Sequence, residues 1–436
     1  MKKLIVIVIV ISVTMAGAIA YERYFVQAEF GPSSLLGVSF FLLVALALTI
    51  TLRSFGTRFH EVVTQAWLVV LSIGFTFVVV DLLAGVLLVT PLSPMLSPDK
   101  IRHHKLVPNT DSRFEQPDFS YIQHVNNLGI RGRDTSFKKP AHRFRVLILG
   151  DSFTMGKGVE DDQTFSALLE VSLNRKKACG TTTIEVLNGG IDSYAPVLSY
   201  LQLSEDLAPL EVDLILLDLD LSDLLQETAY RKEAVRDSTG EIIGVPGSER
   251  SMSFIQAIRS WIDQHTFFTR LMLFYTNKWL GYRDLSVQGV VTRANPELLK
   301  YTLAEDTSSR DEQWTQIFDS IAKIKNLADK RAAAFALVIY PWGHQVSETE
   351  WVPGRYNWIS KGATVSDRYL DTIGQRSKEL GIELVDLFPA FRAYKGALPL
   401  YFKYDMHWTA EGHKLVASAL EQYLVEGHLP RRCSSN

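Results

Sequence analysis

Five short and almost wholly apolar runs, separated by helix-like patterns, limit what this chain can fold into more than any other feature. A strand that is apolar on both sides has to be covered on both sides, and strands that alternate with helices form parallel sheets. The sequence therefore predicts an α/β domain over residues 144–428, with helices covering a central parallel sheet, and a polar tail at 429–436. The predicted strands are Phe144 to Leu149, Thr183 to Leu187, Asp213 to Leu219, Phe335 to Tyr340 and Ile382 to Leu387.

Residues 1–91 contain three segments that are long and apolar enough to cross a membrane. They span residues 4–20, 33–52 and 62–90, and the third carries a single charge, Asp81. A helix of about 20 apolar residues crosses the roughly 30 Å hydrocarbon core of a bilayer, so we expect three N-terminal transmembrane helices. Because no second charge lies in any of them, we favour a structural role for Asp81, either protonated or hydrogen-bonded to a Ser or Thr of a neighbouring helix.

Basic residues set the expected orientation of these helices. Lys2 and Lys3 precede the first span, and Arg53 and Arg58 lie between the second and the third. Lys and Arg concentrate on the cytoplasmic side of membrane proteins, so the chain after residue 91 is expected on the periplasmic side of a bacterial inner membrane. The run Ala18-Ile19-Ala20 leaves a second interpretation, in which the first segment is a cleaved signal peptide and the large domain still lies outside.

Two further stretches lie outside the predicted alternation of strands and helices. Residues 92–143 are polar and punctuated by proline, which predicts a stalk followed by a cap segment. Residues 225–331 form an insertion that is longer than ordinary strand-to-helix connections. Its aromatic centre leaves three interpretations open: an acyl-binding lid, an interfacial helix on the bilayer, or side chains buried against the main sheet.

Charge and cysteine content exclude some partners and leave one bond open. The formal net charge is −3, without the basic patch that nucleic-acid binders usually carry, so we expect no nucleic-acid partner. Cys179 and Cys433 would lie in an oxidising compartment, yet spacing alone does not say whether they bond. The adjacent His103 and His104 lack the spaced ligand set of a metal site, so we predict no metal.

A serine, a histidine and an acid lie where loops of the predicted sheet should meet. Ser152 directly follows the first strand, and His407 lies just before the last predicted helix. A serine hydroxyl needs an imidazole to take its proton, and an acid must hold that imidazole in the right tautomer. Asp405, two residues before His407, can reach the ring from an extended loop. We predict Ser152, His407 and Asp405 as catalytic residues, with Asp386 at the end of the fifth strand as a second candidate for the acid.

An attacked carbonyl group also needs hydrogen-bond donors for its developing oxyanion. Three candidates follow the ends of the first three predicted strands. They are the backbone N–H of Ser152, the backbone N–H of Gly190 and the side chain of Ser222. Glycine at 190 fits this role because a Cβ would obstruct the approach of a substrate to the backbone.

Other polar side chains have simpler interpretations. We expect His413 on the surface of the last helix and His344 in a solvated loop after the fourth strand, although His344 could also line a cleft. Arg131 and Arg133 are expected to solvate a loop, with binding of an anionic substrate group as the alternative.

These blocks, in this order, resemble the SGNH/GDSL hydrolase family over about Phe144 to Leu424, less the insertion. Gly150-Asp151-Ser152 matches the nucleophile block of that family, Gly190 its oxyanion glycine, and Asp405 with His407 its terminal block. The stretch from Asn126 to Gly132 looks like a segment found before the nucleophile strand in many membrane-anchored bacterial members. The form Asp405-Met406-His407-Trp408 is similar to that of alginate-acetylation proteins. The resemblance implies a flavodoxin-like α/β/α sandwich and an esterase, lipase or O-acetyltransferase.

One block departs from the family pattern. Asp220-Leu221-Ser222-Asp223 stands where the family has Gly-x-Asn-Asp, so Ser222 replaces the usual oxyanion asparagine. A hydroxyl can donate a hydrogen bond, but it is shorter than an amide and its rotor is not fixed. The expected result is either a weaker oxyanion site or one that a different neighbouring donor completes.

The sequence thus predicts a serine esterase outside the cytoplasmic membrane that needs no cofactor. Its expected substrates are O-acyl, in the first place O-acetyl, esters of a cell-envelope glycan or lipid, cleaved through an acyl-enzyme. An O-acyltransferase that modifies an exopolysaccharide or envelope glycan is one alternative. A non-catalytic binding or assembly subunit of an envelope complex is the other. The membrane itself is an expected partner, and a membrane-protein partner is left unidentified.

Overall fold

The chain divides into two compact units. The computed structural model describes residues 49, 60–88, 96–115, 118–247, 258, 261–262, 265–269, 272, 297–428 and 433. The smaller unit combines Met1–Pro91 with Met252–Gly289, and the larger combines Leu92–Ser251 with Val290–Asn436. The middle of the predicted insertion therefore belongs with the N-terminal region, whereas its two ends belong with the sheet.

The elements alternate between strand and helix in the larger unit from residue 143 onwards. The strands are β1 (Leu96–Asp99), β2 (His103–Leu106), β3 (Thr110–Glu115), β4 (Ser120–Val125), β5 (Arg143–Leu149), β6 (Thr183–Asn188), β7 (Leu214–Leu219), β8 (Val235–Arg236), β9 (Ile242–Gly244), β10 (Ala334–Ile339) and β11 (Glu383–Asp386). The helices are α1 (His60–Leu88) in the smaller unit and, in the larger, α2 (Ser152–Met155), α3 (Phe165–Arg175), α4 (Pro196–Ser204), α5 (Asp223–Glu233), α6 (Glu297–Lys300), α7 (Asp311–Lys330), α8 (Gly343–Val346), α9 (Arg368–Glu379), α10 (Phe388–Ala393) and α11 (Ala410–Tyr423). Short 3-10 turns at Asp161–Gln163 and Gly354–Asn357 and a π turn at Leu424–His428 complete the set.

A five-stranded sheet in the order β11-β10-β7-β5-β6 forms the centre of the larger unit. All neighbouring strands in it pair in parallel. Counted by chain order within the sheet, this is the 2-1-3-4-5 order of flavodoxin-like folds. The central strands are buried throughout and mainly apolar, as Leu214–Leu219 shows, because helices cover both faces. The predicted parallel α/β sheet is confirmed.

The helices of the larger unit form two packed groups. Helix α3 contacts α11, and α7 contacts both α4 and α5. The amphipathic α7 buries residues such as Trp314 and Ile321 in the main core. Helices α5 and α7, which lie at the two ends of the predicted insertion, are therefore part of the sandwich itself.

Within the described residues, three small antiparallel hairpins accompany the sheet: β1 with β2, β3 with β4, and β8 with β9. Backbone hydrogen bonds also join the first and third of these, from His103 N–H to Val245 O and from Val245 N–H to Ile101 O. The stretch predicted as stalk and cap is thus built largely from two hairpins that pack beside the sheet.

The third predicted span corresponds to helix α1. Residues Glu61–Val86 are long and apolar enough to cross a membrane, and little of their surface is buried, unlike that of a core helix. The buried carboxylate of Asp81 accepts a hydrogen bond from Thr269 Oγ1, a hydroxyl that lies in the insertion and not in another predicted span. The other two predicted spans, residues 4–20 and 33–52, lie outside the described residues apart from Thr49.

Cys179 and Cys433 form a disulfide, with their Cα atoms 5.4 Å apart. Cys179 follows helix α3, and Cys433 lies in the tail beyond helix α11. Because α3 and α11 pack against each other, the bond closes a pair of helices that are already in contact.

A buried carboxyl lies inside the central strand β7, below the turn that follows β5. Asp218 accepts a hydrogen bond from Thr154 Oγ1 at 2.6 Å, and its second oxygen has no partner among the described residues. Burial raises the pKa of Asp218 to about 7. Such a group costs stability once it ionises, because the charge stays away from water.

Replacing Asp218 by Asn is expected to stabilise the fold at pH 8 and to leave it nearly unchanged at pH 4. The folded-state pKa of about 7 lies above the model-compound value of 3.8, so stability is full at low pH and is lost as the pH rises towards 7. The amide carries no charge and can still accept from Thr154. We expect a gain of about 1–4 kcal/mol at pH 8, measured by urea unfolding at both pH values.

Asp371→Asn in the exposed face of α9 is the matched control, because that carboxyl is open to water. A gain for Asp218→Asn that is equal at pH 4 and pH 8 would contradict the buried-charge explanation.

Candidate active site

The predicted site residues meet at the carboxyl ends of neighbouring strands. Ser152 follows β5, Gly190 follows β6 and Ser222 follows β7. In an open parallel sheet the loops at these ends form the crevice in which ligands bind. His407 reaches the same place from the loop before α11, far along the chain.

Ser152 is held on a tight turn between β5 and the one-turn helix α2. Asp151 caps this helix, because its Oδ1 accepts from the N–H of Phe153 at 2.8 Å. A Cβ at Gly150 would lie 2.2 Å from Thr154 Oγ1, so only glycine allows the turn to close this tightly. Gly150 and Asp151 are therefore needed for the local geometry that holds Ser152 in place.

Three side chains from opposite ends of the domain form one continuous hydrogen-bonded relay. The Oγ of Ser152 lies 2.7 Å from Nε2 of His407. On the other side of the ring, Nδ1 of His407 bonds to Oδ1 of Asp405. An ionised carboxylate can only accept, so Nδ1 carries the proton and Nε2 is left to accept from the serine hydroxyl. This is the tautomer that a general base for Ser152 requires.

Asp405 stays ionised in spite of its burial. Burial alone would raise the pKa of this carboxyl, but the charge and hydrogen bond of His407, together with the charge of Lys157, lower it to about 2. The backbone N–H of His407 also donates to Asp405 Oδ1 at 2.9 Å. The carboxylate is therefore fixed in place and available to stabilise a positively charged imidazole.

An aromatic wall holds the histidine ring. The ring of Phe153, the residue after the serine, lies 4.7 Å from that of His407 between centroids. Phe153 in turn contacts Tyr340, Trp342 and Trp408. His407 has 4 % of its surface exposed and Ser152 7 %, so the relay works in a site with little bulk water.

The three predicted oxyanion donors differ in what they bond. The N–H of Ser152 is the first of helix α2, where helix geometry supplies no partner, and it has no acceptor among the described residues. The N–H of Gly190 donates to Asn188 Oδ1 at 3.1 Å, and the hydroxyl of Ser222 donates to Asp220. Gly190 and Ser222 would each have to release an existing bond to serve an oxyanion.

Glycine at 190 is required for a reason that the sequence did not reveal. A Cβ at this position would lie 2.3 Å from the backbone N of Met155. The loop after β6 therefore approaches the helix that carries Ser152 closely enough to exclude any side chain.

Asp118, in the segment between β3 and β4, supports the relay from behind. Its Oδ2 accepts from the backbone N–H groups of Tyr404 and Asp405 at 2.7 and 2.8 Å. Burial raises the pKa of Asp118, and these two hydrogen bonds oppose the rise. The side chain thus fixes the backbone of the residue that orients His407. Sequence reasoning missed Asp118, because no motif links it to a partner 287 positions later.

Arg131 holds the nucleophile turn and is not solvated, contrary to expectation. It is 3 % exposed and donates to the carbonyl oxygens of Met155, Gly156 and Val159. Its Nε also donates to Asp161. All three of its guanidinium nitrogens donate within the protein, so it is not placed to bind a substrate anion. Arg133 pairs with Glu170, in line with a surface role.

Lys157 and Asp192 form a mostly buried ion pair at the site, with 3.2 Å between Nζ and Oδ2. Burial would lower the pKa of Lys157, but Asp192 and Asp405 raise it. Burial would raise the pKa of Asp192, but Lys157 and His407 lower it. The pair therefore stays charged beside the relay. In the sequence, this ion pair is indicated only by the position of Lys157 directly after Gly156, the glycine that ends α2.

Two histidines expected in water are buried. His413 accepts from the N–H of Phe165 at 3.2 Å and stacks on the Phe165 ring, because α11 packs against α3. His344 bonds to Thr302 Oγ1 at 2.9 Å inside the domain. Burial lowers the pKa of each to about 3, so both remain neutral. Asp386, the second candidate for the acid, instead accepts from the N–H of Phe388 at the start of α10.

Buried carboxyls cluster behind the nucleophile turn. Burial and the charge of Asp220 raise the pKa of both Asp151 and Asp223. Asp220 itself accepts from Trp342 Nε1. Over the part of the chain that the structure describes, His, Cys, Asp and Glu side chains form no group of three or more able to hold a metal ion.

Solved structures of other proteins resemble this chain only weakly. The acetylxylan esterase Axe2 from Geobacillus stearothermophilus has 13% identity and a TM-score of 0.34, covering 66% of this chain and 96% of its own. A putative lipolytic protein of the G-D-S-L family from Desulfitobacterium hafniense DCB-2 has 13% identity and a TM-score of 0.33, covering 64% of this chain and 98% of its own. These values are too low to support a conclusion about this chain. No curated protein matches.

A family model provides the stronger comparison. Residues 301–432 match the model described as "SGNH hydrolase-like domain, acetyltransferase AlgX". The matched range includes Asp405 and His407, the block whose form resembled alginate-acetylation proteins, and it ends within the C-terminal tail. Residues 301–432 are therefore similar to an SGNH hydrolase-like domain, in agreement with the resemblance of the sequence blocks.

Proposed function

We propose that this protein is a serine esterase of the SGNH type that cleaves O-acyl, in the first place O-acetyl, esters of a cell-envelope glycan or lipid. The observation that carries this proposal is the relay from Ser152 through His407 to Asp405, with 2.7 Å between the hydroxyl oxygen and Nε2. The family match to an acetyltransferase domain supports ester chemistry at an acetyl group.

The geometry suits covalent catalysis through an acyl-enzyme. As Ser152 Oγ attacks the ester carbonyl carbon, its proton passes to Nε2 of His407, and the carbonyl oxygen becomes an oxyanion. The Ser152 N–H at the start of α2 is placed to stabilise that charge, and Gly190 and Ser222 are the further candidates. Asp405 stabilises the imidazolium, which then returns the proton to the departing alkoxide. A water activated by His407 hydrolyses the acyl-enzyme and regenerates the serine.

We further propose a periplasmic location for the larger unit and a membrane anchor for the smaller one. Helix α1 has the length and composition of a membrane span and buries little of its surface. The bond between Cys179 and Cys433 suits an oxidising compartment. The first two predicted spans and the orientation remain part of this proposal, as do the glycan or lipid substrate and any membrane-protein partner.

A second candidate, O-acyltransfer, is favoured by the name of the matched family. The relay serves hydrolysis and transfer equally, since the acyl-enzyme accepts either water or a sugar hydroxyl. Only the second nucleophile differs. The third candidate, a non-catalytic subunit, gains support from the bonds that occupy Gly190 N–H and the Ser222 hydroxyl.

Replacing Ser152 by Ala is expected to abolish covalent labelling by a fluorophosphonate probe and to lower hydrolysis of 4-nitrophenyl acetate by roughly 10⁴- to 10⁶-fold. The probe reports an activated serine and needs no knowledge of the natural substrate. The measurement is gel fluorescence of the labelled full-length chain in detergent, together with initial rates.

Ser199→Ala is the control, because Ser199 is also a buried serine but lies in helix α4. Wild-type protein that folds, as judged by circular dichroism, and yet shows no label dependent on Ser152 would favour the non-catalytic subunit.

Replacing Asp118 by Ala is expected to lower kcat by up to about 100-fold while KM changes little, since small displacements of a catalytic group cost rate more than binding. The backbone of Tyr404 and Asp405 would lose its acceptor, and the relay would lose its alignment. Rates are normalised to the fraction of molecules that a fluorophosphonate titrates, so that loss of folded protein does not enter the result.

Asp118→Asn separates alignment from charge. Its side-chain oxygen can still accept both N–H groups, so we expect a smaller loss of kcat and an acid limb of the kcat/KM profile that moves to lower pH, because a negative charge beside the relay is removed. Equal losses for both variants, with unchanged pH profiles, would reduce Asp118 to a general stability role.

Hydrolysis is expected to predominate over transfer when acceptor sugars are added. Full-length protein, 4-nitrophenyl acetate and a panel of oligosaccharides with free hydroxyls should yield free acetate that depends on Ser152, measured by mass spectrometry of both products. Acetylated oligosaccharide that depends on Ser152 would instead establish the transferase.

A further inference from the structure

Helix α1 has a fully buried spot on a largely exposed apolar surface. Asp81 is 2 % exposed and Gly85, one turn later, is also buried, whereas most of the large apolar side chains of the helix are exposed. Both residues lie on the same face of the helix, because positions four apart are neighbours. This spot is where the segment around residues 258–272 contacts α1.

Asp81 binds the start of a helical turn in that segment. Its carboxylate accepts from the backbone N–H groups of Phe267, Phe268 and Thr269, the first two at 2.8 and 2.6 Å. Thr269 Oγ1 donates to it as well. The preceding helical turn ends with Thr266 N–H bonded to Ile262 O. The carboxylate thus satisfies backbone donors that a break between two turns leaves without partners.

Gly85 lets the two backbones touch. A Cβ there would lie 2.1 Å from the carbonyl oxygen of His265, so any other residue would push the segment away. Thr266, next to this contact, is 5 % exposed. The contact is therefore a specific joint between α1 and the middle of the insertion, both within the smaller unit.

The side of the segment away from α1 is apolar and exposed. Ile258, Trp261, Phe268 and Met272 leave between 41 % and 59 % of their surface uncovered. Apolar side chains left open beside a candidate membrane span are typical of segments that contact the bilayer.

The position of Asp81 along α1 indicates how deep this joint lies in the bilayer. Asp81 is five residues before Val86, where the membrane-span candidate ends. At about 1.5 Å per residue it lies roughly 8 Å inside that end of a core about 30 Å thick. A broken helix is tolerated at this depth only where protein groups satisfy its backbone, and Asp81 does so.

We propose that Ile258, Trp261, Phe268 and Met272 form a membrane-embedded foot, clamped on α1 by Asp81 and Gly85, whose apolar side chains contact the acyl chains and glycerol region of the phospholipid bilayer. The insertion is then a lipid-binding element and not a lid over the active site. This inference rests on the membrane location proposed above for α1.

The test compares three positions of equal exposure. Single cysteines replace Leu71 in α1, Met272 in the foot and Leu398 in the larger unit, which are 62 %, 59 % and 60 % exposed. Both native cysteines are bonded to each other, so the parent chain should not take up label. Each variant is spin-labelled and placed in vesicles of phosphatidylethanolamine and phosphatidylglycerol, and its access to oxygen and to a water-soluble nickel complex is measured.

We expect the labels at 71 and 272 to favour oxygen and the label at 398 to favour nickel. If the label at 272 is as accessible to nickel as the label at 398, while the label at 71 is in lipid, the proposed foot is wrong. The membrane anchor would still be supported by that result. Nickel access at 71 as well overturns the membrane location itself.

The clamp is tested by the motion of the label at 272. Asp81→Ala and Gly85→Ile should each make this label at least about twofold more mobile, whereas Gly74→Ile should not, since a Cβ at Gly74 meets nothing within 4 Å. Unchanged mobility in both joint variants would overturn the clamp. Labelling of Ser152 by fluorophosphonate should stay within about twofold of the parent in all of them, which separates this result from a failure of the proposed esterase.

Discussion

The contact between Ser152 Oγ and His407 Nε2 is the one on which the rest of this molecule depends. It joins the turn after β5 to the loop before α11, and it is possible only because the parallel sheet brings those two loops to one edge. Around this contact, polar side chains outside the relay fix the backbone next to the serine and next to the acid. Arg131 holds the carbonyls that follow the serine, and Asp118 holds the amides beside the acid.

The serine, histidine and acid could be found from the sequence because each stands next to an element with a strong pattern. Apolar strands, a glycine before the serine and a helix after the histidine are local signals, and the parallel sheet follows from their alternation. What the sequence could not show is where long-range polar partners lie. Asp118 and Arg131 bond to backbone N–H and carbonyl groups. Every residue type can supply such groups, so these bonds leave no sequence motif.

The same limit explains the two histidines and the insertion. The pattern of α11 alone predicts His413 on the helix surface, because it does not show that α3 covers this histidine and buries it. The sequence predicts a single long insertion, although its two ends are amphipathic and its middle is aromatic. The structure divides it, because α5 and α7 complete the sandwich while the middle meets Asp81 through backbone amides.

The bond between Cys179 and Cys433 has a consequence for the integrity of the molecule as a whole. It closes a loop of 254 residues that contains the foot, most of the sheet and His407. A protease that cuts the chain once anywhere inside this loop leaves two fragments that remain one covalent molecule. The fragment carrying the serine would then keep its hold on the fragment carrying the imidazole, and damage at an exposed bend need not end in dissociation.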